Sequence, residues 1–351
     1  MAEGKIVLAG STGDLGERIA GFLIERGASV RALARPGAAR QKVSQLRSLG
    51  VEVVEVDFGD PAALKKACAG GACVVSALAG LHSVILGAQT ALLEAAVAAG
   101  VPRFIPSDYS IDFTRLPPGS NRNLDLRREF HLRLDKAPIA ATTIFNGAFT
   151  DLLTGPAPII LFKLRRVLYW GDADQKLDFT TIDDAAAFTA AAAIDASTPR
   201  FLRIAGESLS ARELTSVVGK VVGKDFHLFR AGGLGRLALV IKVARALARK
   251  SDALYPPSQG MQYLHNMFGG LAQLMPLDNQ RYPGMRWTGV RDVLAARLPL
   301  ARPTKRAQQD CRSATSSAVH EPGGARGSRL AHLGRRNEGW QPAVDAEQRR
   351  L

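Results

Sequence analysis

Two hydrophobic periods alternate along the first 150 residues. Residues 5–10 (KIVLAG), 29–35 (SVRALAR), 51–57 (VEVVEVD), 72–78 (ACVVSAL) and 103–108 (RFIPSD) are short apolar runs bounded by Gly, Pro or Asp. Runs of this kind predict buried strands. Between them, residues 14–26 set Leu15, Ile19, Phe22 and Leu23 on one helical face. A segment rich in Arg and Gln follows the second strand, 61–69 carries Pro61 near its first turn, and 85–99 is apolar almost throughout. Five βα repeats predict a parallel, doubly wound α/β sheet, because parallel strands need crossover helices.

After Asn146 the pattern loosens. Residues 177–194 (LDFTTIDDAAAFTAAAAI) predict a short strand and an alanine-rich helix whose start is capped at Asp183. A strand over 201–206 and a helix over 209–223, capped by Ser210, follow. Residues 232–250 read as a cationic amphipathic helix, expected to cover a cleft with its polar face in water rather than to lie on a membrane. The stretch 252–287, rich in Pro, Gly, Met and Tyr, suits a pocket lid. The organisation expected is a nucleotide-binding domain over 1–150 and a smaller α+β part over 151–300. Residues 177–206 return to the first sheet, and 301–351 form a disordered basic tail.

The junction of the first strand and helix carries Gly10-Ser11-Thr12-Gly13-Asp14-Leu15-Gly16. Gly10 permits the tight turn, Gly13 lets the backbone approach a pyrophosphate, and Gly16 lets helix and strand pack closely. Free N–H groups at the helix start would meet the phosphate charge. This makes the unit Rossmann-type. The end of the second strand selects the nucleotide: Ala34-Arg35, with Arg31 and Arg40 nearby, has no carboxylate for a ribose 2′-hydroxyl. A guanidinium at Arg35 can pair with a 2′-phosphate, so NADP(H) is the expected cofactor. Asp57 and Phe58 would flank the adenine. Ser76, Ala77 and Leu78 would pass beneath the nicotinamide ribose, since ligands sit at the carboxyl ends of such strands.

Composition adjusts this picture in a few places. The three cysteines, Cys68, Cys73 and Cys311, have no metal-ligand spacing, so no metal is expected and a reducing, cytoplasmic setting is. The chain opens MAEGKIVLAG, straight into a strand, with no signal-peptide pattern, and no window has the uncharged length of a membrane span. The net charge is +14, of which residues 301–351 supply +5, from ten Lys or Arg against five Asp or Glu. No aromatic platform accompanies that charge, so neither nucleic acid nor membrane is expected as a partner.

GSTGDLG, LAR after the second strand, RFIPSDYS, the FNGAFTD turn and TTIDDAA together resemble the NmrA-like family, over roughly residues 5–298. These are atypical short-chain dehydrogenase/reductase relatives that include isoflavone-reductase-like enzymes. The resemblance implies a Rossmann domain binding NADPH and a smaller part closing over a cleft. It also implies one of two roles: a reductase, or a protein that binds the dinucleotide without turning it over. The usual Tyr-x-x-x-Lys pair is absent: Tyr109, Tyr169, Tyr255, Tyr263 and Tyr282 are followed four residues later by Phe113, Ala173, Gln259, Met267 and Arg286. The lysine shared by isoflavone-reductase-like enzymes corresponds to Arg127 or Arg128 in LDLRREFHLRLDK, with Lys136 a fallback. Arginine stays protonated and cannot shuttle a proton, but it can polarise an oxygen.

The candidate catalytic residues are therefore Tyr109, as proton donor, and Arg127. Ser107 and Asn146 would complete the cofactor site, and the turn from Asn146 to Phe149 would line the substrate side. His131 reads as a relay or a structural histidine, and Tyr263, Met267 and Met275 as an apolar wall or core. Two functions stay open. One is an NADPH-dependent reductase of a small apolar or aromatic carbonyl or enone compound. The other is a non-catalytic NADP(H)-binding redox sensor with a regulatory protein partner.

Overall fold

Side chains along the first strand alternate between two buried faces, Ile6 and Leu8 on one, Val7 and Ala9 on the other. The computed structural model describes residues 4–155, 159–247 and 253–298. The chain runs β1 (Lys5–Ala9), α1 (Asp14–Glu25), β2 (Val30–Ala34), α2 (Arg40–Ser48), β3 (Glu52–Glu55), α3 (Pro61–Cys68) and β4 (Gly71–Ser76). A π-helical turn (Ser83–Ala88) leads into α4 (Gln89–Ala98). Then come β5 (Arg103–Ile105), α5 (Arg122–Leu134), β6 (Ala140–Ala141), β7 (Thr143–Phe145) and β8 (Ala148–Phe149). The first six strands form one parallel sheet in the order β3-β2-β1-β4-β5-β6. The fold is thus Rossmann-type α/β.

The second half supplies β9 (Ile160–Leu161), β10 (Arg166–Trp170), β11 (Lys176–Thr180), α6 (Ile182–Ile194), β12 (Phe201–Arg203) and β13 (Glu207–Ser210). It continues with α7 (Ala211–Val222), β14 (His227–Gly232), α8 (Leu234–Leu247), α9 (Pro257–Phe268) and α10 (Val290–Arg297). β12 pairs in parallel with β7, which follows β6 after Thr142, as a separate two-stranded sheet, while β11 pairs with β8 and β13, so of residues 177–206 no strand joins the six-stranded sheet itself. α6 lies on the α1 face, where Ala186, Phe188 and Ala190 share a core with Ile6 and Leu8 of β1 and Ile19 of α1. The opposite face buries Leu64, Leu92, Phe104 and Phe130. A third core, with Phe113, Phe145, Phe179, Leu214 and Leu237, belongs to the smaller sheets β14-β10-β9 and β13-β11-β8 and their helices.

Some sequence expectations shift locally. The fifth strand stops at Ile105, because Pro106 has no N–H to continue the ladder. The cap of α6 is Thr181, not Asp183: Thr181 has extended backbone and its hydroxyl accepts the Asp184 N–H at 3.0 Å. Ser210 caps α7 with a full capping box closed by Glu213. The expected lid contains a regular helix, α9, seated on the first turn of α5. There Asn121 accepts from Gln259 at 2.6 Å, and Asn123 donates to the Leu254 carbonyl at 3.0 Å. The basic tail and Cys311 lie outside the described residues.

Candidate functional site

The glycine loop follows β1 directly. Gly10 has φ +79°, and a Cβ there would stand 2.5 Å from the Ala77 carbonyl oxygen at the end of β4. A Cβ on Gly16 would stand 2.2 Å from the Gly10 carbonyl oxygen, so the first turn of α1 can close onto the loop only with glycine. Gly13 is the N-cap of α1 and is exposed. Its missing side chain keeps the free N–H groups of the helix start open to an anion. Thr12 and Leu15 are partly exposed, and Asp14 faces solvent in an ion pair with Arg18 at 2.8 Å. Ser11 is fully buried, and its hydroxyl has no hydrogen-bond partner.

The loop after β2 presents two exposed guanidiniums, Arg35 and Arg40, neither paired with a carboxylate among the described residues. Arg31 is set apart. It sits near the start of β2 and is spent on Glu52 and on the carbonyls of Ala67 and Ala69. Asp57 accepts the Gly59 N–H at 2.9 Å in a tight turn after β3, and Phe58 is partly buried beside it.

At the carboxyl ends of β4 and β5 one residue joins the strands. The π-helical turn aims the buried side chain of Gln89 between them, so that its Oε1 accepts from the Ser76 hydroxyl at 2.7 Å and the Ser107 N–H at 2.9 Å. Ser76 is thereby enclosed, and its hydroxyl faces Gln89 rather than the ligand side. Ala77 and Leu78, partly exposed, carry that edge instead. Asn146 sits in the following turn with its whole side-chain amide buried and without a partner. Buried polar atoms of this kind call for a hydrogen-bonding ligand, and Ser11, Asn146 and the glycine cradle together fit a dinucleotide.

Arg127 lies next to this edge. Its Nε donates to the Ser107 carbonyl and its Nη1 to the Asn123 carbonyl, both at 3.0 Å, which fixes the buried guanidinium in place. Nη2 has no hydrogen-bond partner among the described residues. Tyr263, on α9, lies close enough to Asn123 and to that guanidinium to feel both electrostatically. Burial pushes the Tyr263 phenol up and the Arg127 charge pulls it down; burial prevails, so the phenol keeps its proton at neutral pH. Arg128 points elsewhere, to Asp125 and the carbonyls of Phe113 and Leu116.

Tyr109 does not occupy the position expected of a proton donor. It packs into the α1–α6 core with its hydroxyl buried and without a hydrogen-bond partner, and burial raises its pKa. The chain turns at Pro106–Asp108, which sends this ring under the sheet instead of into the cleft. His131 is held at both ring nitrogens. Arg200 Nη2 approaches Nδ1 at 3.3 Å, which makes Nδ1 the acceptor, and Nε2 then donates to Asp108 Oδ2 at 2.6 Å. Thr143 also donates to Asp108, at 2.9 Å. This network leaves His131 no atom for a substrate, so the structural reading of that residue prevails. Cys68 and Cys73 are buried, pushed up to about 11 and about 12, and neither is a nucleophile near neutrality. No cluster that could hold a metal occurs among the described residues.

Sequence reasoning assigns no role to Gln89 and places Tyr263, Met267 and Met275 in an apolar wall or core; Met267 is core and Tyr263 packs against it, while Met275 is exposed. A glutamine interrupting an otherwise apolar helix start was the available signal for Gln89. Tyr263 lies 136 positions from Arg127 (263 − 127) and carried none. The FNGAFTD and TTIDDAA segments meet in space: Asn146 O accepts from Thr180 at 2.7 Å, and Asp151 accepts the Ile182 N–H at 3.1 Å.

Known proteins resemble this arrangement at both levels. Pinoresinol reductase 1 of Arabidopsis thaliana is 30% identical over 244 residues, 64% of this chain and 76% of that protein. Pinoresinol reductase 2 of the same plant is 30% identical over 252 residues, 67% of this chain and 79% of that protein. Among solved structures, AtPrR2 with NADP+ and (+)pinoresinol superposes with a TM-score of 0.71 at 23% identity, covering 84% of this chain and 99% of that one. The binary complex of leucoanthocyanidin reductase with NADPH from Vitis vinifera gives a TM-score of 0.69 at 20% identity, with the same coverages. At these identities the superpositions speak for the fold. The NmrA-like family profile matches residues 2–231, about two-thirds of the chain, and the protein belongs to that family.

Proposed function

We propose that this protein is an NADPH-dependent reductase of a small apolar or aromatic carbonyl or enone compound. The observation that carries the reading is the anchored guanidinium of Arg127, with Nη2 unspent, next to the strand ends where a nicotinamide would lie. The curated relatives reported above are reductases, which favours turnover over a non-catalytic sensor. When bound, NADPH supplies the hydride to the substrate carbon.

The glycine loop and the start of α1 hold the pyrophosphate, and Arg35 takes the 2′-phosphate with Arg40 as a second cation. Asp57 and Phe58 flank the adenine. Ala77, Leu78, the Ser107 backbone and Asn146 border the nicotinamide side. Arg127 polarises the substrate oxygen and stabilises the negative charge that grows on it. It cannot donate a proton to that oxygen. The Tyr263 phenol, protonated at neutral pH and beside the same guanidinium, supplies the proton in place of Tyr109.

The test is loss of reduced-nicotinamide absorbance with a panel of aromatic ketones, enals and quinones. Turnover with NADPH is expected. Arg127→Met is expected to lower kcat/KM on the order of a hundredfold while NADPH affinity changes less than about twofold. Tight NADPH binding with no turnover across the panel would sink the reductase reading, and full activity in Arg127→Met would remove that residue from the mechanism.

A further inference from the structure

α8 turns its larger apolar face outward. Leu237 and Ile241, one helical turn apart, enter the core below it, and Leu234 packs against its edge. On the opposite side Leu239, Val240, Val243 and Leu247 are 61%, 38%, 49% and 80% exposed. At 100° per residue these four form one stripe, with Arg236 within it and Lys242 along its flank. Between Asp225 and Asp252 the chain has six Lys or Arg and no carboxylate. Beyond Lys242, α8 and α9 enclose an open groove of about 460 Å³ lined by Ser120, Lys242, Arg245, Gln262 and His265.

We infer that α8 docks this protein on an anionic lipid surface, its apolar stripe entering the headgroup boundary and its cations meeting lipid phosphates. Three alternatives explain the exposed stripe less well. The sequence suggests a solvated helix over a cleft with no membrane contact, but an apolar stripe faces water together with the cations. A second copy packed symmetrically on α8 would bring Arg236 and Lys242 of both copies into one interface with no carboxylate on the helix to meet them. Residues 301–351 carry a net +5, so their charge offers these cations no net complement. An anionic interface satisfies both features at once, because apolar area and cationic charge act together in interfacial helices. The contact is peripheral: among the described residues no helix is long and apolar enough to cross a membrane.

The experiment is sedimentation of the full chain with vesicles of phosphatidylcholine, with and without about one-third phosphatidylserine. At low salt, roughly fivefold or more protein is expected with the anionic vesicles, falling away near 0.5 M salt as the charges are screened. Leu239→Glu/Val243→Glu is expected to reduce sedimentation to the level on phosphatidylcholine alone, with an unchanged thermal melt. Arg236→Glu/Lys242→Glu gives a second, charge-based variant. A control pair with the same charge change on other exposed leucines, Leu49→Glu/Leu132→Glu, is expected to sediment like wild type. The proposal is overturned by equal sedimentation on both vesicles, by binding that survives both helix variants, or by a control pair that loses binding equally. It is also overturned if light scattering finds a wild-type dimer that Leu239→Glu/Val243→Glu dissociates.

Discussion

Asp108 and His131 illustrate what a single residue can and cannot announce. A histidine in mid-helix and an aspartate after a strand are both plausible catalytic groups in a sequence. In the fold they face each other at 2.6 Å, buried, with Thr143 and Arg200 completing the set. Removing one partner of such a pair strands the other. Asp108→Ala is therefore expected to cost about 3 kcal/mol, read as a lower urea midpoint at neutral pH. Burial opposes the Asp108 charge, but the contact with His131, the nearby Arg127 guanidinium and the hydrogen bond from Thr143 overcome it and hold its pKa below the ordinary value. A depressed folded pKa stabilises fully above the unfolded value, near 4, and that contribution fades as pH falls through the folded value. Wild type should thus lose more stability than Asp108→Asn on acidification below about pH 4. Parallel stability–pH curves for the two would contradict this assignment.

At the scale of elements, the β2–α2 connection is the one we propose to choose between nucleotides. Arg35 and Arg40 are both exposed there without carboxylate partners among the described residues, while Arg31, close in sequence, is committed at the strand's other end. Strand direction explains the difference: only residues after β2 reach the carboxyl edge of the sheet. Arg35→Ala is expected to weaken NADPH binding on the order of tenfold, the strength of a charged hydrogen-bonded contact, with little effect on NADH. Isothermal titration with each nucleotide measures this, and equal losses for both would detach Arg35 from the 2′-phosphate. The first five β-strands, α1 and the Ser210 cap of α7 were readable because they depend on neighbours a few residues away. The π-helical entry to α4 was not, since it depends on Gln89 finding Ser76 and Ser107 on two separate strands.

For the whole molecule, one face of the first sheet is covered from the second half of the chain. β12 pairs with β7, and α6 covers the α1 face with Ala186, Phe188, Ala190 and Ala193. A fragment of residues 1–150 would expose Ile6, Leu8 and Ile19 on that face. It is expected to be aggregation-prone and to lack a cooperative melt, whereas 1–298 melts cooperatively. A sharp transition in the short fragment would show that its sheet needs no such cover. The alternation of strands and helices, the glycine turn and the basic loop after β2 were legible along the chain. Each rests on periodicity, on φ, or on charge within a few residues. That Tyr109 turns into the core, that Tyr263 lies near Arg127, and that α8 shows an apolar stripe to water emerged from the packed fold. Those outcomes depend on which distant segments pack together, and hydrophobic periodicity identifies a buried face without naming what buries it.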